Sequence, residues 1–326
     1  MSGCSNPVSG RGGQFRLLGA LLVAAGVSSV AAPPLGAAVL IPVPPAPGAS
    51  TTTAYAINDD GVIAGSFIGA SDGIEHSFFG TLDGTYVVFD AGTGGSEARG
   101  IGNDGVITGF SNSQAGESNT EPMFERSVDG TISSVTRSGQ PLYGLAQGLD
   151  NARDQFAGTY WDTHEFEGVA FLGRKAKWRH DVHIPVLHEA SSAAGINSSG
   201  VIVGSFISPP EPRHGYLASG HKFALLDYPS DNSVGTILEG INDRGGIVGQ
   251  WIDTAGTTHS FLFDQFSNTF TDIKVRGASW VQAWGINSRG MVPVSTDIGS
   301  FIWCARKRDC RSTPGRLTLP VNPRRS

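Results

Sequence analysis

The sequence predicts an all-β fold, a β-propeller of about six four-stranded blades. Three observations predict this fold: a turn phrase that recurs along the chain, a regular period between its copies, and a composition that suits short strands. Glycine is abundant, with 45 of 326 residues, and charged residues make up only 16%. Such a chain suits tight turns and lacks the long runs of good helix formers that a helical bundle needs.

The recurring phrase is Asn-x-x-Gly between aliphatic residues. Its clear copies begin at Asn58, Asn197, Asn242 and Asn287. An asparagine at the first turn position accepts a hydrogen bond from a nearby backbone N–H, and a glycine at the fourth position tolerates positive φ. The phrase therefore predicts a hairpin corner that every repeat needs.

The aliphatic residue before each corner marks six units of similar length. The markers are Ile57, Ile101, Leu149, Ile196, Ile241 and Ile286, and they are separated by 44, 48, 47, 45 and 45 residues. After its corner, unit one continues with an apolar strand (62–67), a His-Ser-Phe phrase (76–78) and a further strand (86–90). Four short strands at this period indicate a propeller blade, with an open β-solenoid as the alternative.

The chain divides into three parts. Residues 1–38 read as a signal peptide and leader, because Arg11 and Arg16 precede a short apolar run with small residues after it. An uncleaved membrane anchor is the alternative, and no other stretch is long enough to span a membrane. Residues 39–303 form the repeat domain. Within it, residues 39–44 are an extra outer strand, which is expected to complete the last unit and close the ring. The basic segment 304–326 is a second candidate for completing that blade.

Two units depart from the repeat. The third corner, after Leu149, lacks the glycine and is one residue longer. In the sixth unit, Pro293 stands at the position that comes just before the glycine of the second strand in the other units. Because proline cannot donate a hydrogen bond to a β-ladder, the strand that contains Pro293 is expected to be irregular or at a sheet edge.

Cys304 and Cys310 are the cysteines that remain after removal of the leader. Two thiols this close in an oxidising compartment predict a disulfide that closes a small loop. Half of a metal site is the competing interpretation, but it lacks partner ligands nearby. The expected location is therefore secreted or periplasmic.

Charge is distributed unevenly along the chain. Between Val39 and Trp303 there are 14 lysines and arginines against 28 aspartates and glutamates. An acidic body argues against nucleic acid as a partner, because phosphate binding needs a basic face. From Arg306 to the end the chain has seven basic residues and one acid, and this tail is expected to be a solvated terminus unless it contacts an anionic partner.

The phrases Gly-Ile-Asn-x-x-Gly-x-Ile-Val-Gly and His-Ser-Phe-Leu resemble the repeats of the HAF family of extracellular bacterial proteins, named after a His-Ala-Phe triplet. The triplet appears here as His76-Ser77-Phe78 and His259-Ser260-Phe261, with His214-Gly215-Tyr216 as a variant. The resemblance covers most of residues 39–303 and is strongest in units one, four and five. It implies an exported repeat protein with a propeller fold, and it carries over no catalytic residues.

The recurring histidines of these triplets are expected to form hydrogen bonds within their own units, because equivalent positions in separate blades do not easily converge. Residues that break the repeat are better candidates for a binding site, and they cluster near the third unit. The candidates are His180, Asp181, His183 and His188, with Asp162, His164, Glu165 and Glu167 close in sequence. Histidine acts as a base or a ligand near neutral pH, whereas a polar loop between blades is the structural alternative.

The sequence contains no nucleophile elbow, phosphate loop, metalloprotease motif or dinucleotide fingerprint. No catalytic residue, metal ligand or cofactor is therefore assigned. The expected function is an exported binding or interaction scaffold for an extracellular ligand, glycan or protein. A lyase or hydrolase that acts on polysaccharide or cell wall is the enzymatic alternative, and a surface-layer or matrix component is a third, because propellers host several functions.

Overall fold

The computed structural model describes residues 38–112, 122–150, 154–161, 168–186, 189–306 and 308–310. Over these residues the regular structure is β-strand throughout, without a helix. The predicted signal peptide and the end of the basic segment, residues 311–326, lie outside the described residues. The domain boundaries expected there therefore stay predictions.

The strands are short and follow one another closely. The first fifteen are β1 (Val39–Pro42), β2 (Ala49–Ile57), β3 (Ile63–Gly69), β4 (Glu75–Gly80), β5 (Tyr86–Phe89), β6 (Ser96–Ile101), β7 (Ile107–Ser111), β8 (Met123–Arg126), β9 (Ile132–Ser134), β10 (Thr136–Arg137), β11 (Gln140–Pro141), β12 (Gly144–Asp150), β13 (Gln155–Trp161), β14 (Gly168–Arg174) and β15 (Trp178–Asp181). The remaining strands are β16 (Ala190–Ile196), β17 (Ile202–Ile207), β18 (Arg213–Ser219), β19 (Lys222–Leu225), β20 (Ser233–Ile241), β21 (Gly246–Asp253), β22 (Thr258–Asp264), β23 (Thr269–Ile273), β24 (Val281–Ala283), β25 (Met291–Thr296) and β26 (Gly299–Cys304).

Each sequence unit supplies a run of antiparallel strands. Within the described ranges, four sheets have four strands each: β2–β5, β6–β9, β12–β15, and β24–β26 with β1. An eight-stranded sheet contains β16–β23, in which a single parallel pair, Arg213 with Gly235, connects β18 to β20. The short hairpin β10–β11 lies between units two and three. The sequence prediction of an all-β propeller arrangement is therefore confirmed.

The repeated corners form as the sequence predicts. In unit one, Asn58 Oδ1 accepts hydrogen bonds from the N–H groups of Asp60 and Val62, at 3.1 and 2.9 Å. Gly61 closes the corner with a φ of +82°. The corners that begin at Asn197, Asn242 and Asn287 repeat this pattern. The third corner, at residues 151–153, lies outside the described residues.

A second feature of the repeat is a β-bulge in the inner strand, two residues before the marker. In β6 the pairing with β7 passes from Ala98 directly to Gly100, so that Arg99 is left out of the ladder. Equivalent shifts occur in β2, β12, β16 and β20. A bulge redirects the side chain of the extra residue, and this decides what faces the centre of the molecule.

The apolar core lies between neighbouring sheets. Phe79 of unit one packs with Ile107 and Phe124 of unit two in one cluster of buried residues. Similar clusters fill the space between each later pair of units, and another joins the last unit to the first through Ile302 and Ile63. Sheets that pack face to face around a common centre bury both of their faces, which explains the continuous apolar strands.

The N-terminal strand completes the last sheet, as expected. β1 pairs antiparallel with β26, with Val39 opposite Cys304 and Pro42 opposite Phe301. Cys304 at the end of β26 is bonded to Cys310, which confirms the predicted disulfide. The outer position in this sheet is thus held by a strand from the opposite end of the described chain.

The expectation for Pro293 is wrong in its location. Pro293 lies inside β25, a central strand that pairs with β26 on one side and β24 on the other. The irregularity falls on β24 instead, which ends at Ala283, whereas the equivalent strand β2 continues to Ile57. The missing N–H of proline explains this difference, because the inner strand loses a bond at that point.

Candidate functional site

Of the residues proposed from sequence around the third unit, those that the structure describes do not meet at the centre of the molecule. His180 and Asp181 lie on β15, the outermost strand of the third sheet. His180 Nδ1 is 3.0 Å from the carbonyl oxygen of Asp181, and Asp181 Oδ1 accepts a hydrogen bond from the Trp178 indole at 2.9 Å. His183 packs against His221 of the next unit, with ring centroids 5.8 Å apart.

The other members of that cluster lie outside the described residues: His188, Asp162, His164, Glu165 and Glu167. Within the described part of the chain, no group of three or more histidine, cysteine, aspartate or glutamate residues is placed to hold a metal ion. The described members of the cluster occupy the rim of the molecule.

The recurring histidines form hydrogen bonds within their own units, which confirms the structural interpretation. His76 Nδ1 is 2.9 Å from Asp90 Oδ2, and His214 Nδ1 is 2.8 Å from Asp227 Oδ2. His259 Nε2 is 2.9 Å from Asp253 Oδ2. Burial lowers the pKa of His76, but the carboxylates of Asp90 and Asp72 outweigh it and raise the pKa above its ordinary value.

All six units line a narrow channel of about 90 Å³ at the centre of the molecule. Its walls carry one residue from each unit at the position two residues before the marker. These residues are Tyr55, Arg99, Gln147, Ala194, Glu239 and Trp284. One end of the channel is surrounded by the Asn-x-x-Gly corners, and we call this end of the molecule the turn face.

Arg99 is the central cation of the channel. Its guanidinium carbon lies 3.9 Å from the centre of the Tyr55 ring and 5.1 Å from that of the Trp284 ring. The two rings meet edge to face, with centroids 5.2 Å apart. Arg99 Nη2 is 2.6 Å from Glu97 Oε2, whereas its buried Nε has no hydrogen-bond partner among the described residues. Two aromatic rings and one carboxylate hold the cation.

Glu97 lies in a pair of neighbouring carboxyl groups. Burial raises the pKa of Glu97; Arg99 acts to lower that pKa, and the nearby carboxyl of Glu75 raises it further. Glu75 itself accepts hydrogen bonds from Ser66 Oγ at 2.6 Å and Asn112 Nδ2 at 3.3 Å. Burial and the neighbouring carboxyl of Glu75 thus both disfavour the charged form of Glu97.

Glu239 is the second acid of the channel. Burial raises the pKa of Glu239 to about 7, although the positive charges of Arg99 and Arg213 oppose the shift. Gln250 Nε2 donates a hydrogen bond to Glu239 Oε1 at 3.3 Å. This carboxyl group therefore exchanges its proton close to neutral pH, as do many functional carboxyl groups in clefts.

Sequence reasoning missed the channel residues, although the signal was available. The position two residues before each marker carries Tyr, Arg, Gln, Ala, Glu and Trp in turn, while the neighbouring positions repeat. The signal is missed when the strand is assumed to be regular, because the bulge changes which side chains point inward. Variation at one position of a uniform repeat is the sequence feature that identifies the site.

The arrangement is suited to recognising a narrow polar group. Small-molecule pockets commonly measure about 300–1,000 Å³, so the channel has room for part of a ligand only. It offers aromatic faces, one guanidinium and carboxyl groups that donate or accept depending on their protonation.

Among the described residues, no helix is long and apolar enough to cross a membrane.

No family model matches the sequence, and no curated protein matches it. Among solved structures, TolB from Acinetobacter baumannii is similar, with a TM-score of 0.52 and 10% identity over 76% of this chain and 64% of that chain. The β-propeller domain of the Trilobed protease from Pyrococcus furiosus gives a TM-score of 0.48 and 10% identity over 83% of this chain and 99% of that one. An oligogalacturonate lyase in complex with manganese gives a TM-score of 0.49 and 11% identity over 87% of this chain and 98% of that one. At these identities the likeness concerns the fold alone.

Proposed function

We propose that this chain is an exported six-bladed propeller that acts as a binding scaffold and takes a polar group of its ligand into the channel at the turn face. One observation carries the proposal. Six equivalent positions line one channel, and they carry six different side chains, whereas the positions on either side are alanine or glycine, with one leucine. The flanking positions keep one structural role in every unit, so variation at the position between them indicates recognition.

The count of six blades rests on the link inside the eight-stranded sheet. That link is one parallel pair, Arg213 with Gly235. Units one and two have the same single parallel pair at equivalent positions, Glu75 with Gly95, and there the two units form separate sheets. This likeness supports counting the two runs of four strands as two blades, with β1 in the sixth.

Export is supported by the leader pattern in residues 1–38 and by the disulfide between Cys304 and Cys310. The HAF-like repeats support the same location. In the Asn-x-x-Gly corners of these repeats, each asparagine shapes its own corner and also donates a hydrogen bond to the next unit. Asn58 Nδ2, for example, donates to Gly102 O at 3.1 Å. We therefore propose that the chain is a secreted or periplasmic member of that family.

Binding is favoured over catalysis by the way the channel groups are used. Arg99 is held between aromatic rings and paired with Glu97, and the channel is too small for a whole substrate. The residues that line it include no histidine, serine–histidine pair or cysteine. This composition suits recognition of a ligand end, in which the indole and phenol rings supply most of the contact area.

A thermal-shift screen tests the proposal, with monosaccharides, uronic acids and cell-wall muropeptides as probes. Compounds that raise the melting temperature are then titrated by calorimetry into wild type, Trp284→Leu and the control Trp161→Leu, whose exposed ring lies at the end of β13. We expect Trp284→Leu to weaken binding at least tenfold and Trp161→Leu to leave it unchanged. Equal affinity in all three proteins contradicts a channel site.

The enzymatic alternative has one specific observation in its favour. Glu239 has a pKa of about 7 and lies with Arg99 in the same channel wall, as a general acid or base would. Incubation with acidic polysaccharides and cell-wall glycan, with detection of new reducing ends or unsaturated sugars, tests it. Turnover that Glu239→Gln abolishes supports a hydrolase or lyase, and its absence across these substrates favours the binding scaffold.

A further inference from the structure

A second concave surface lies on the turn face beside the last unit. It is a groove of about 460 Å³ between the corners of units five and six and the disulfide-closed loop. Its charged lining residues are Arg244, Arg289, Arg306, Arg308, Asp264 and Asp309, and we call it the arginine groove. Its volume lies within the range of sites that bind small molecules or one to two sugar rings.

The charge of this groove is opposite to that of the molecule. Four arginines face two aspartates here, whereas residues 39–303 carry twice as many acidic as basic residues. Arg308 Nε is 3.8 Å from Asp309 Oδ1, a loose pair. Among the residues that the structure describes, Arg244 and Arg306 form no ion pair, and both are exposed. A local excess of unneutralised guanidinium groups on an acidic protein attracts anions specifically to this place.

The disulfide holds part of the groove in place. Cys304 is fully buried at the end of β26, and Cys310 packs against the core cluster of the first and last units. Their bond fixes Cys310 beside the end of β26, so that Arg306 and Arg308, each two residues from a cysteine, stay beside the corner of unit six. Holding charged side chains before the ligand arrives reduces the entropy lost on binding.

The combination of groups indicates the chemistry of the ligand. Guanidinium groups bind carboxylates through paired hydrogen bonds. Asp264 and Asp309 add acceptors that suit the hydroxyl groups of a sugar ring. A concave groove suits a polymer chain better than a flat bilayer. We propose that the arginine groove binds an acidic polysaccharide through the carboxylates on its sugar rings.

This inference stands apart from binding in the channel. The channel and the arginine groove share Asn242, Ile286 and Ser288 in their walls, so the two sites adjoin on one face. The four arginines of the groove, however, do not line the channel. A polysaccharide in the groove therefore passes the channel mouth without needing it, and variants in each site separate the two proposals.

The test is calorimetric titration of the full protein with a hexasaccharide of mannuronic acid at low and high salt. The groove variant is Arg244→Gln with Arg306→Gln, and the matched control is Arg179→Gln with Arg276→Gln, two exposed arginines outside both sites. We expect wild type and control to bind equally, the groove variant to bind at least tenfold more weakly, and salt to weaken binding. Trp284→Leu is expected to leave this affinity unchanged.

Several outcomes overturn the inference. Absence of binding by wild type does so, as does equal loss in the groove variant and the control, which indicates nonspecific charge attraction. Equal binding of neutral maltohexaose shows that the groove does not recognise the carboxylates. Tighter binding of a heparin hexasaccharide, a DNA duplex or anionic phospholipid vesicles assigns the groove to sulfate, nucleic acid or membrane instead. Loss of binding in Trp284→Leu moves the polysaccharide into the channel.

Discussion

One asparagine in each corner forms hydrogen bonds in two directions. Asn242 Oδ1 accepts from the N–H groups of Arg244 and Gly246, at 3.0 and 2.8 Å. Asn242 Nδ2 donates to the carbonyl oxygen of Asn287 in the next unit at 2.8 Å. Asn287 in turn donates to the carbonyl oxygen of Asn58 in the first unit at 2.9 Å. The amide therefore shapes its own turn and ties neighbouring units together.

Replacing Asn287 by aspartate tests the second role. Asn287→Asp keeps the acceptor oxygen for the turn but loses the donor to Asn58 O, which keeps only the bond from the Gly61 N–H, and it places a carboxylate at a buried position. We expect the free energy of unfolding to fall by about 2 kcal/mol. Chemical denaturation measures this, with Asn232→Asp on the exposed surface as the control for added charge. An equal effect in both variants contradicts a tie between units.

The residue after each bulge is the closest point between units. A Cβ on Gly195 would lie 2.9 Å from Gly240 Cα in the next unit, and one on Gly240 would lie 3.1 Å from Gly285 Cα. Unit one has Ala56 at this position. The glycines are therefore required by the close approach of neighbouring inner strands.

Gly195→Ala is expected to lower the free energy of unfolding by about 2 kcal/mol, because the added methyl group overpacks this contact. The matched control is Ala56→Gly, which places the common residue of the other units at the exceptional position. Its cost is expected to stay below about 1 kcal/mol, the usual entropic effect of glycine. Urea unfolding of both variants measures the difference, and a neutral Gly195→Ala would contradict close packing at this point.

At the scale of elements, β1 connects the start of the repeat domain to its end. It pairs with β26 over four residues, and Val43 N continues the ladder to Ser300 O at 3.0 Å. Because ladder bonds in an antiparallel pair recur every second residue, Ile41 and Ile302 form a hydrogen-bonded pair. The last sheet thus depends on a strand that is distant in sequence, which joins the ends of the ring.

Ile41→Pro tests the closure. The proline removes one ladder bond from β1, and we expect a loss of about 3 kcal/mol. Hydrogen exchange is expected to show faster exchange in β26, with protection in β20–β23 retained. Ile41→Val is the control and costs about 1 kcal/mol at most. Unchanged protection in β26 contradicts a closing role for β1.

At the scale of the whole molecule, the two proposed binding sites lie on the turn face. The channel mouth and the arginine groove adjoin there. The histidine–aspartate pairs of the repeat belong to the other ends of the strands, with His76 near the start of β4 and His259 near the start of β22. One face is therefore available for recognition, while the opposite end carries repeated structural pairs.

The buried acids make the stability of the molecule depend on pH. Glu239 titrates at about 7 in the fold, well above its ordinary value of 4.5. Between these values the folded state keeps a proton that the unfolded state has lost. The contribution of Glu239 is therefore fully present below about pH 4.5 and is lost as the pH rises through 7, an effect of up to about 3 kcal/mol.

Unfolding free energies measured from pH 5 to pH 8 are expected to decline, and Glu239→Gln is expected to flatten this decline. It does not remove the slope, because the raised pKa values of Glu97 and His76 act in the same direction. Asp243→Asn, on an exposed residue of the neighbouring corner, is the control. A slope that is identical in wild type and Glu239→Gln contradicts the assignment.

Much of the architecture follows from local patterns. The corners at Asn58 and Asn242 were predictable from turn chemistry, and hydrogen bonding of His76 within its own unit was predictable from repeat symmetry. The pairing of residues 39–42 with the last unit was predictable as well, because these residues are an extra outer strand at the start of the repeat domain. The site was not predictable in the same way. His180 was chosen because it breaks the repeat, but it lies on an outer strand.

The sequence by itself determined the period, the all-β class, the corners and the disulfide, since each of these depends on residue types at short spacing. The tertiary structure alone decided that Arg99, Glu239 and Trp284 share one channel, and that Arg244 and Arg306 line one groove. The channel residues alone are separated by up to 185 positions (284 − 99), and their meeting depends on packing of the units around a centre. Local spacing in the sequence does not indicate which of these distant residues come together in the fold.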